Sequence, residues 1–251
     1  MNEKFSIHSL TSAELLSVWE KGLSQTPTTR ALILLSAACE NVSLDDLAGL
    51  SIGQRDAWLL TIRERIFGSD VQSIVSCHQC GEKLEIGFRT SDLGVSQARL
   101  IPETLTVLDD DYEVRFHLPN SFDLGRISAE ADIVVNRGIL LECCVSFSRY
   151  RGQDISPKEL PESVVRKISA RMASSDQQAD IQRILLTCSA CGHQWYEKFN
   201  ILTFFWEEIH AWAIRLFREI HSLASAYGWS ETEILSLNPL HRQMYLEMVG
   251  T

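Results

Sequence analysis

The sequence is organised around Cys188-Ser189-Ala190-Cys191-Gly192-His193-Gln194-Trp195, in which two residues separate a pair of cysteines and a glycine follows. Such a turn is typical of a zinc knuckle, because it directs two thiolates at one metal ion. The glycine accepts a backbone conformation that other residues resist. The chain holds a second stretch of the same form, Cys77-His78-Gln79-Cys80-Gly81. Each knuckle supplies two ligands, and a structural zinc ion needs four.

Together the two knuckles predict one split zinc ribbon that holds a structural Zn2+ ion. The predicted ligands are Cys77, Cys80, Cys188 and Cys191. The segment between the pairs, residues 81–187, is several times longer than the roughly 15–20 residues found in ordinary ribbons. Two other interpretations of the cysteines therefore stay open, namely disulfides and four free thiols.

Composition and charge limit the class of protein. Of the 251 residues, 45% are hydrophobic and 22% are charged, a balance that allows a buried core. The net charge of −10 and the pI of about 5.2 argue against nucleic acid as a partner, because phosphate backbones require a basic surface. No apolar run approaches the roughly 20 residues that cross a membrane, and the first residues lack the apolar region of a secretion signal.

The remaining cysteines favour a reducing compartment. The chain has seven cysteines, an odd count. Cys39, Cys143 and Cys144 fall in apolar helical patterns and are predicted to be free, buried thiols. Thiols of this kind fit a reducing cytoplasm better than an oxidising compartment.

The N-terminal region predicts several helices. Thr11-Ser12-Ala13-Glu14 has the form of a capping box, and a helix is expected from there to about Leu23. Apolar residues and alanines predict a second helix over Arg30–Cys39. A short helical turn is expected within Ser43–Leu50.

Ser51 is predicted to begin an amphipathic helix that ends at the C′ glycine Gly68. Its apolar side is predicted to carry Ile52, Leu59, Ile62 and Ile66. Its charged side is predicted to be mostly solvated, with Arg55, Arg63, Glu64 and Arg65.

Alternating apolar residues predict strands on both sides of each knuckle. Strands lead into the first knuckle over 71–75 and away from it over 84–88. Equivalent strands lead into the second knuckle over 182–186 and away from it over 195–199. The matching order of strand, knuckle and strand is the main reason to join both hairpins around one metal.

The segment between the knuckles is predicted to be an insertion of mixed structure. Its expected parts are a hairpin over 105–116, a helix from Phe122 to about Glu130 with Ser121 as its cap, a helix from Asp132 through Cys144, a loop from Ser148 to Pro161, and a helix from Glu162 to Ala173.

The C-terminal region predicts helices only. A long helix over Thr203–Tyr227 carries an apolar stripe at steps of three and four residues. The stripe consists of Phe205, Ile209, Trp212, Leu216, Ile220, Leu223 and Tyr227. Gly228 ends this helix, the capping box Ser230-Glu231-Thr232-Glu233 opens a short one, and Asn238-Pro239 opens the last.

These elements predict a mostly helical α+β fold, in which N- and C-terminal helices surround a split zinc-ribbon β core with a helical insertion. Five regions follow from this division. They are the N-terminal helical region 1–69, the first half of the ribbon 70–90, the β-hairpin and helical insertion 91–179, the second half of the ribbon 180–200, and the C-terminal helices 201–251.

The long C-terminal helix carries more aromatic surface than one ribbon can cover. One interpretation packs all of it into the core against Leu32, Leu35 and Ile62. The other leaves part of it open for a protein partner, because exposed aromatic and methionine side chains are favoured at interfaces. The candidate partner-binding residues are then Trp206, Phe217, Met244, Tyr245 and Met248.

Known catalytic motifs are missing from the sequence. It contains no phosphate-binding loop, no G-x-S-x-G elbow and no H-E-x-x-H motif. A CxxC pair can belong to a thiol oxidoreductase, but that motif comes with a βαβ unit, whereas both pairs here lie in predicted hairpins. We therefore expect a protein that is not an enzyme.

Three blocks of the sequence resemble the T4-type phage baseplate family, whose members are described as baseplate hub proteins or hub assembly chaperones. The first block runs from Ile52-Gly53-Gln54-Arg55-Asp56 through Phe67-Gly68 into the first knuckle. The second joins Asp176-Gln177-Gln178-Ala179-Asp180 to the second knuckle. The third holds Phe205-Trp206-Glu207-Glu208-Ile209, Glu219-Ile220-His221 and Tyr227-Gly228-Trp229. Residues 91–173 match much less clearly.

The resemblance implies a non-enzymatic structural or assembly (chaperone-like) protein of a contractile tail baseplate, from a phage, a prophage or a tail-like particle. Its partners would be baseplate hub or other tail proteins, with neither nucleic acid nor membrane involved. It would act in the cytoplasm of the bacterial host during assembly or form part of the particle. Two alternatives stay open, a zinc-ribbon module that binds nucleic acid and a CxxC thiol oxidoreductase.

Overall fold

The computed structural model describes residues 6–93, 102–128, 131–176 and 183–250. Helices account for most of this part of the chain. In order they are α1 (Ser12–Gly22), α2 (Pro27–Ala38), α3 (Leu44–Ala48), α4 (Ile52–Phe67), α5 (Ser121–Leu124), α6 (Ile133–Cys144), α7 (Glu162–Ser175), α8 (Ile201–Tyr227), α9 (Glu231–Ser236) and α10 (Pro239–Val249). None of these helices is both long and apolar enough to cross a membrane.

The strands form small antiparallel sheets. They are β1 (Ser6–Ile7), β2 (Cys39–Glu40), β3 (Asp70–Ser76), β4 (Lys83–Arg89), β5 (Leu105–Asp109), β6 (Tyr112–Phe116), β7 (Val145–Tyr150), β8 (Gln153–Asp154), β9 (Arg183–Thr187) and β10 (Gln194–Lys198). Three sheets are two-stranded, β1-β2, β3-β4 and β9-β10, and the fourth has the order β5-β6-β7-β8. The predicted mostly helical α+β class is confirmed.

Local sequence signals place the helix ends. The capping box predicted for α1 is formed, since the Glu14 amide donates to Thr11 Oγ1 and the Thr11 amide donates to Glu14 Oε2. Ser230 and Glu233 form the second predicted box, ahead of α9. Ser51 caps α4 as predicted, with Gln54 as its reciprocal partner. These signals work because each involves only residues three positions apart.

The main core lies between the N- and C-terminal helices. Most of the apolar stripe of α8 is buried, since Phe205, Leu216 and Leu223 are each at most 1% exposed, but Tyr227 at its end is 38% exposed. The stripe belongs to one apolar cluster with side chains of α1, α2 and α4, among them the fully buried Leu35. Burial of that many large side chains makes this cluster the principal source of stability.

Within this core, α1 and α8 approach closely at Gly22. The ring of Trp206 lies against Gly22, so that a Cβ atom there would be 2.3 Å from the nearest ring carbon. The Arg30 guanidinium covers the same ring at 4.3 Å from its centroid and donates to the carbonyls of Gly22 and Leu23. Trp206 is consequently 8% exposed and belongs to the core.

The tight contact at Gly22 predicts that Gly22→Ala lowers the melting temperature. The added methyl group forces a rigid ring to move, and overpacking of this kind costs about 1–3 kcal/mol. That cost exceeds the gain in helix propensity of about 1 kcal/mol. The matched control is Gly138→Ala in α6, where no atom lies within 4 Å of the added Cβ. Calorimetry should show the control unchanged or stabilised, and an unchanged Gly22→Ala would contradict the packing described.

The insertion has a core of its own between the four-stranded sheet and α7. Its apolar residues are Leu105, Val107, Val114, Phe116, Leu118, Val145, Leu160, Val164, Val165 and Ile168. The predicted hairpin over 105–116 is confirmed as β5-β6. The helix predicted from Asp132 through Cys144 is confirmed as α6, with Asp132 as its N-cap.

Two predictions for the insertion are wrong. The helix expected from Phe122 to about Glu130 ends at Leu124, because Gly125 closes it, and its N-cap is Asn120 rather than Ser121. The segment expected to be a loop over 148–161 contains the second half of β7 and all of β8. Its polar sequence concealed a strand, since the buried Ser148 hydroxyl is satisfied by donating to the Ile155 carbonyl.

The predicted solvated side of α4 is also partly wrong, because Arg55 and Arg63 are each 2% exposed. Arg55 donates to Asp56 Oδ1 at 2.8 Å and to Ser121 Oγ at 3.4 Å. Arg63 donates to both carboxylate oxygens of Glu208 in α8. A buried guanidinium group requires such partners. The apolar periodicity of α4 could not reveal them, because some of them lie far away in the sequence.

The start of α4 joins the insertion to the helical core. The Ile52 amide donates to the Pro119 carbonyl at 3.0 Å, and the Gly53 amide donates to Asp176 Oδ2 at 3.0 Å. These amides belong to the first turn of α4, which has no partners within its own helix. Asp176 is 5% exposed, so its carboxylate caps the helix from inside the protein.

Candidate metal centre

Each predicted knuckle is a tight turn between two paired strands. In the first, between β3 and β4, the Cys77 amide donates to the Glu82 carbonyl at 2.8 Å and the Gly81 amide donates to the Cys77 carbonyl at 2.9 Å. The Gln79 amide also donates to Cys77 Sγ at 3.4 Å. Gly81 has a φ of 76°, a left-handed conformation that favours glycine.

The second knuckle, between β9 and β10, repeats this geometry. The Cys188 amide donates to the His193 carbonyl at 2.8 Å, and the Gly192 amide donates to the Cys188 carbonyl at 2.9 Å. Gly192 has a φ of 74°. The two hairpins predicted around the CxxC pairs are therefore present, and their turns are alike in hydrogen bonding and in the position of the glycine.

The two knuckles face each other across the centre. Cys77 Sγ lies 3.7 Å from Cys191 Sγ, and Cys80 Sγ lies 3.6 Å from Cys188 Sγ. A disulfide would require about 2.05 Å. A tetrahedral zinc site with Zn–S bonds of about 2.3 Å places its sulfur atoms about 3.8 Å apart. These two separations match two opposite edges of such a tetrahedron, and each hairpin supplies two of its four corners.

The electrostatics of the four thiols also fit a cation. Burial opposes ionisation of Cys77, but the amides of Cys80 and Gln79 outweigh it and lower its pKa to about 6. For Cys80, the Glu82 amide favours the thiolate, whereas the neighbouring Cys191 thiol and burial oppose it and raise its pKa to about 12. The Cys77 thiolate therefore forms readily, whereas the Cys80 thiolate requires a nearby positive charge. Because the ligands must lose protons, metal affinity falls on acidification.

Aromatic side chains cover this centre and were not predicted from the sequence. The Trp195 ring is 8% exposed, stacks on His193 at a centroid distance of 5.6 Å, and lies 5.4 Å from the His78 ring. Its indole N–H donates to Glu197 Oε2 at 2.9 Å. Trp195 packs with Leu186, Cys77 and Cys188 in a small apolar cluster, which shields the two buried thiols from water.

The candidate partner-binding residues do not come together in one place. Trp206 is in the core, so its side chain is not available at the surface. Phe217 is 37% exposed on α8, and its ring lies 5.7 Å from that of Trp19. On α10, Met244 is 48% and Met248 70% exposed. Tyr245 is half-buried, with its ring 4.9 Å from Trp229 and 5.7 Å from Tyr227.

Sequence reasoning missed one member of the exposed set on α10. Leu240 is 69% exposed and precedes Met244 and Met248 by four and eight positions. The three side chains therefore lie along one face of the helix. Their spacing was visible in the sequence. What the sequence did not reveal is that the opposite face of the helix, which carries Arg242 and Leu246, is buried.

The fold and the four-cysteine centre together define a mostly helical α+β protein whose two CxxC hairpins meet at one point. The sequence model of the family described as T4 bacteriophage base plate protein matches residues 10–206, which is more than three quarters of the chain. The chain belongs to this family, as the resemblance implied. No curated protein and no solved structure matches it.

Membership in this family identifies a T4-type phage baseplate protein, which is a structural protein associated with the phage tail. It also suggests that the chain interacts with other tail proteins, and it favours a structural protein over an enzyme. The match extends over both CxxC pairs and ends at Trp206, so most of α8 and all of α9 and α10 lie beyond it.

Proposed function

We propose that the protein is a non-enzymatic structural or assembly (chaperone-like) protein of a contractile phage-tail or tail-like baseplate. The observation that carries this proposal is the family match over residues 10–206. The protein would bind baseplate hub or other tail proteins in the cytoplasm of the bacterial host during assembly, or as part of the finished particle. The net charge of −10 supports protein rather than nucleic-acid partners.

The second part of the proposal is that Zn2+ bound by Cys77, Cys80, Cys188 and Cys191 stabilises the fold. The sulfur separations of 3.6 and 3.7 Å support it. Such an ion would link the hairpin that follows α4 to the hairpin that precedes α8. It would thereby close the long intervening segment, and the free energy of binding would offset the entropy of that closure.

The third part concerns the surface that contacts the partner. Leu240, Met244 and Met248 form an exposed apolar row on α10, and Phe217 is a separate exposed ring on α8. Unbranched methionine side chains adapt to the shape of a partner. We assign the principal partner contact to this row on α10, with Tyr245 supporting the helix through its aromatic neighbours.

Truncation of this row is expected to weaken binding without affecting the fold. The double variant Met244→Ala/Met248→Ala should reduce co-purification with baseplate hub or other tail proteins by about 10–100-fold, the loss expected when central interface side chains are removed. Its melting temperature should stay at the wild-type value, because both side chains are largely exposed. Phe217→Ala tests α8 in the same assay.

Two controls make this experiment decisive. Gln243→Ala changes an exposed polar residue of the same helix and should keep partner binding. Leu246→Ala removes an 8% exposed side chain and should lower the melting temperature instead. Unchanged binding by the double methionine variant would contradict the assignment to α10. Absence of any hub or tail protein from the wild-type eluate would contradict the proposed function itself.

A further inference from the structure

A second group of metal-ligating side chains lies in the insertion, away from the four-cysteine centre. His117 follows β6, Asp123 lies in α5 and Cys144 ends α6. His117 Nε2 is 3.0 Å from Asp123 Oδ2, and Cys144 Sγ is 3.8 Å from the same oxygen. All three ligand atoms lie within 4.8 Å of one another. Three separate segments of the chain thus direct a nitrogen, an oxygen and a sulfur donor to one point.

The backbone fixes this arrangement. The His117 amide donates to the Cys144 carbonyl at 3.0 Å, which joins the end of β6 to the end of α6. Asp123 is the reciprocal member of the capping box of α5, and its Oδ2 accepts from the Asn120 amide at 3.0 Å. Cys144 is fully buried and Asp123 is 5% exposed, while a third of the His117 side chain reaches solvent. The donors are therefore held in place before any ligand binds.

The separations fit a tetrahedral metal ion. Zn–N and Zn–O bonds of about 2.0–2.1 Å place the two donor atoms about 3.3 Å apart, and a Zn–S bond of about 2.3 Å places sulfur about 3.5 Å from oxygen. The observed 3.0 and 3.8 Å each lie within a few tenths of an ångström of these values. Imidazole, carboxylate and thiolate are all ligand types that zinc accepts.

A catalytic thiol is the other chemistry that these residue types suggest, and the geometry argues against it. The Cys144 thiol donates to Asp123 Oδ2, whereas the His117 imidazole, the stronger base, is hydrogen-bonded to the same oxygen and not to the thiol. Burial, followed by the charge of Asp123, raises the pKa of Cys144 to about 12, which keeps the thiol protonated and unreactive.

We propose that His117, Asp123 and Cys144 bind a second divalent transition-metal ion of the zinc type, with water as a fourth ligand. On binding, the Cys144 thiol releases its proton to solvent, and His117 uses the Nε2 lone pair while its remaining ring proton stays on Nδ1. The ion thereby ties β6, α5 and α6 together inside the insertion. Cys144 would then be a metal ligand and not the free buried thiol that the sequence predicted.

Metal stoichiometry of the full chain tests the proposal. The protein is stripped with a chelator under reducing conditions, reloaded with Zn2+ and dialysed, and its zinc is measured by mass spectrometry. The wild type should retain two equivalents, and His117→Ala and Cys144→Ser should each retain one. Loss of one of three ligands should weaken the second site by more than about 100-fold, above the range of outer-shell changes. Cys143→Ser, the adjacent thiol outside the cluster, should retain two.

Two results would overturn the second site. One is a wild type that retains a single equivalent of zinc, together with a Cys144→Ser variant that retains the same amount. The other is a second equivalent that persists in both His117→Ala and Cys144→Ser. His117→Ala changes a partly exposed side chain, so circular dichroism should show it folded even where Cys144→Ser is not. Failure of the four-cysteine site gives a different pattern, with one equivalent that depends on Cys144 and is insensitive to Cys77→Ser.

Discussion

Replacement of Cys77 by serine is expected to remove the ribbon zinc and to destabilise the protein severely. Cys77 is 3% exposed and provides one edge of the sulfur tetrahedron with Cys191. Structural zinc ions contribute about 10–16 kcal/mol of binding free energy in zinc-finger peptides, which is comparable to the whole stability of a typical domain at about 5–15 kcal/mol. Calorimetry and zinc analysis of the same sample should therefore show loss of one equivalent together with a large fall in melting temperature.

The matched control for this prediction is Cys143→Ser, which removes a half-buried thiol that belongs neither to the four-cysteine centre nor to the proposed second metal site. It should keep the zinc content and nearly all of the stability. Addition of a strong chelator to the wild type should reproduce the effect of Cys77→Ser. A metal-free wild type with an unchanged melting temperature would contradict the stabilising role of zinc.

The second large effect is expected from Arg63→Met. Arg63 donates to both carboxylate oxygens of Glu208 at 2.9 and 2.7 Å, and also to the carbonyls of Gly68 and Asp70 at 2.7 and 2.8 Å. The side chain thus holds α4, α8 and the start of β3 together. Removing it leaves Glu208 and two carbonyls unpaired at a largely buried position, which should cost about 3–5 kcal/mol in free energy of unfolding.

The controls for Arg63 distinguish the loss of the buried Arg63–Glu208 pair from the loss of any positive charge on the protein. Arg218→Met, at an exposed position of α8 outside the cleft that Arg63 and Glu208 line, should change the free energy of unfolding by less than about 0.5 kcal/mol. The double variant Arg63→Met/Glu208→Met should recover part of the loss, because no unpaired carboxylate remains. Chemical denaturation measures all three. If the free energy of unfolding of Arg63→Met lay within about 1 kcal/mol of the wild-type value, the Arg63 network would not be needed for stability.

The features that the sequence predicted correctly are those encoded by residues close to one another. The CxxC pairs with their glycines specified both knuckle turns, because each turn is closed by hydrogen bonds within five residues, such as Cys77 to Glu82. The helix caps at Thr11, Ser51 and Ser230 and the apolar stripe of α8 also depend on residues only three or four positions apart.

The features that the sequence did not reveal depend on distant partners. Arg55 and Arg63 were expected to be solvated, since nothing in the α4 repeat indicates that Ser121 and Glu208 would reach them. Trp206 was a candidate either for the core or for a partner contact, and its burial depends on the absence of a side chain at Gly22.

The same holds for the second metal-ligating cluster. Its donors, His117, Asp123 and Cys144, have no regular spacing in the sequence. The pairing of β6 with β7 brings His117 beside Cys144, and the capping box of α5 places Asp123 next to them. Short polar strands such as β8 are also hidden, because their pairing and not their composition defines them.

The split ribbon requires two hairpins far apart in sequence to share one zinc ion. The most direct measurement is zinc K-edge X-ray absorption on the His117→Ala variant, which removes the second proposed site and is loaded with one equivalent. The split ribbon predicts a single shell of four sulfur atoms at about 2.3 Å from zinc. A shell with two sulfur atoms and two lighter ligands, or a variant that retains no zinc, would contradict it.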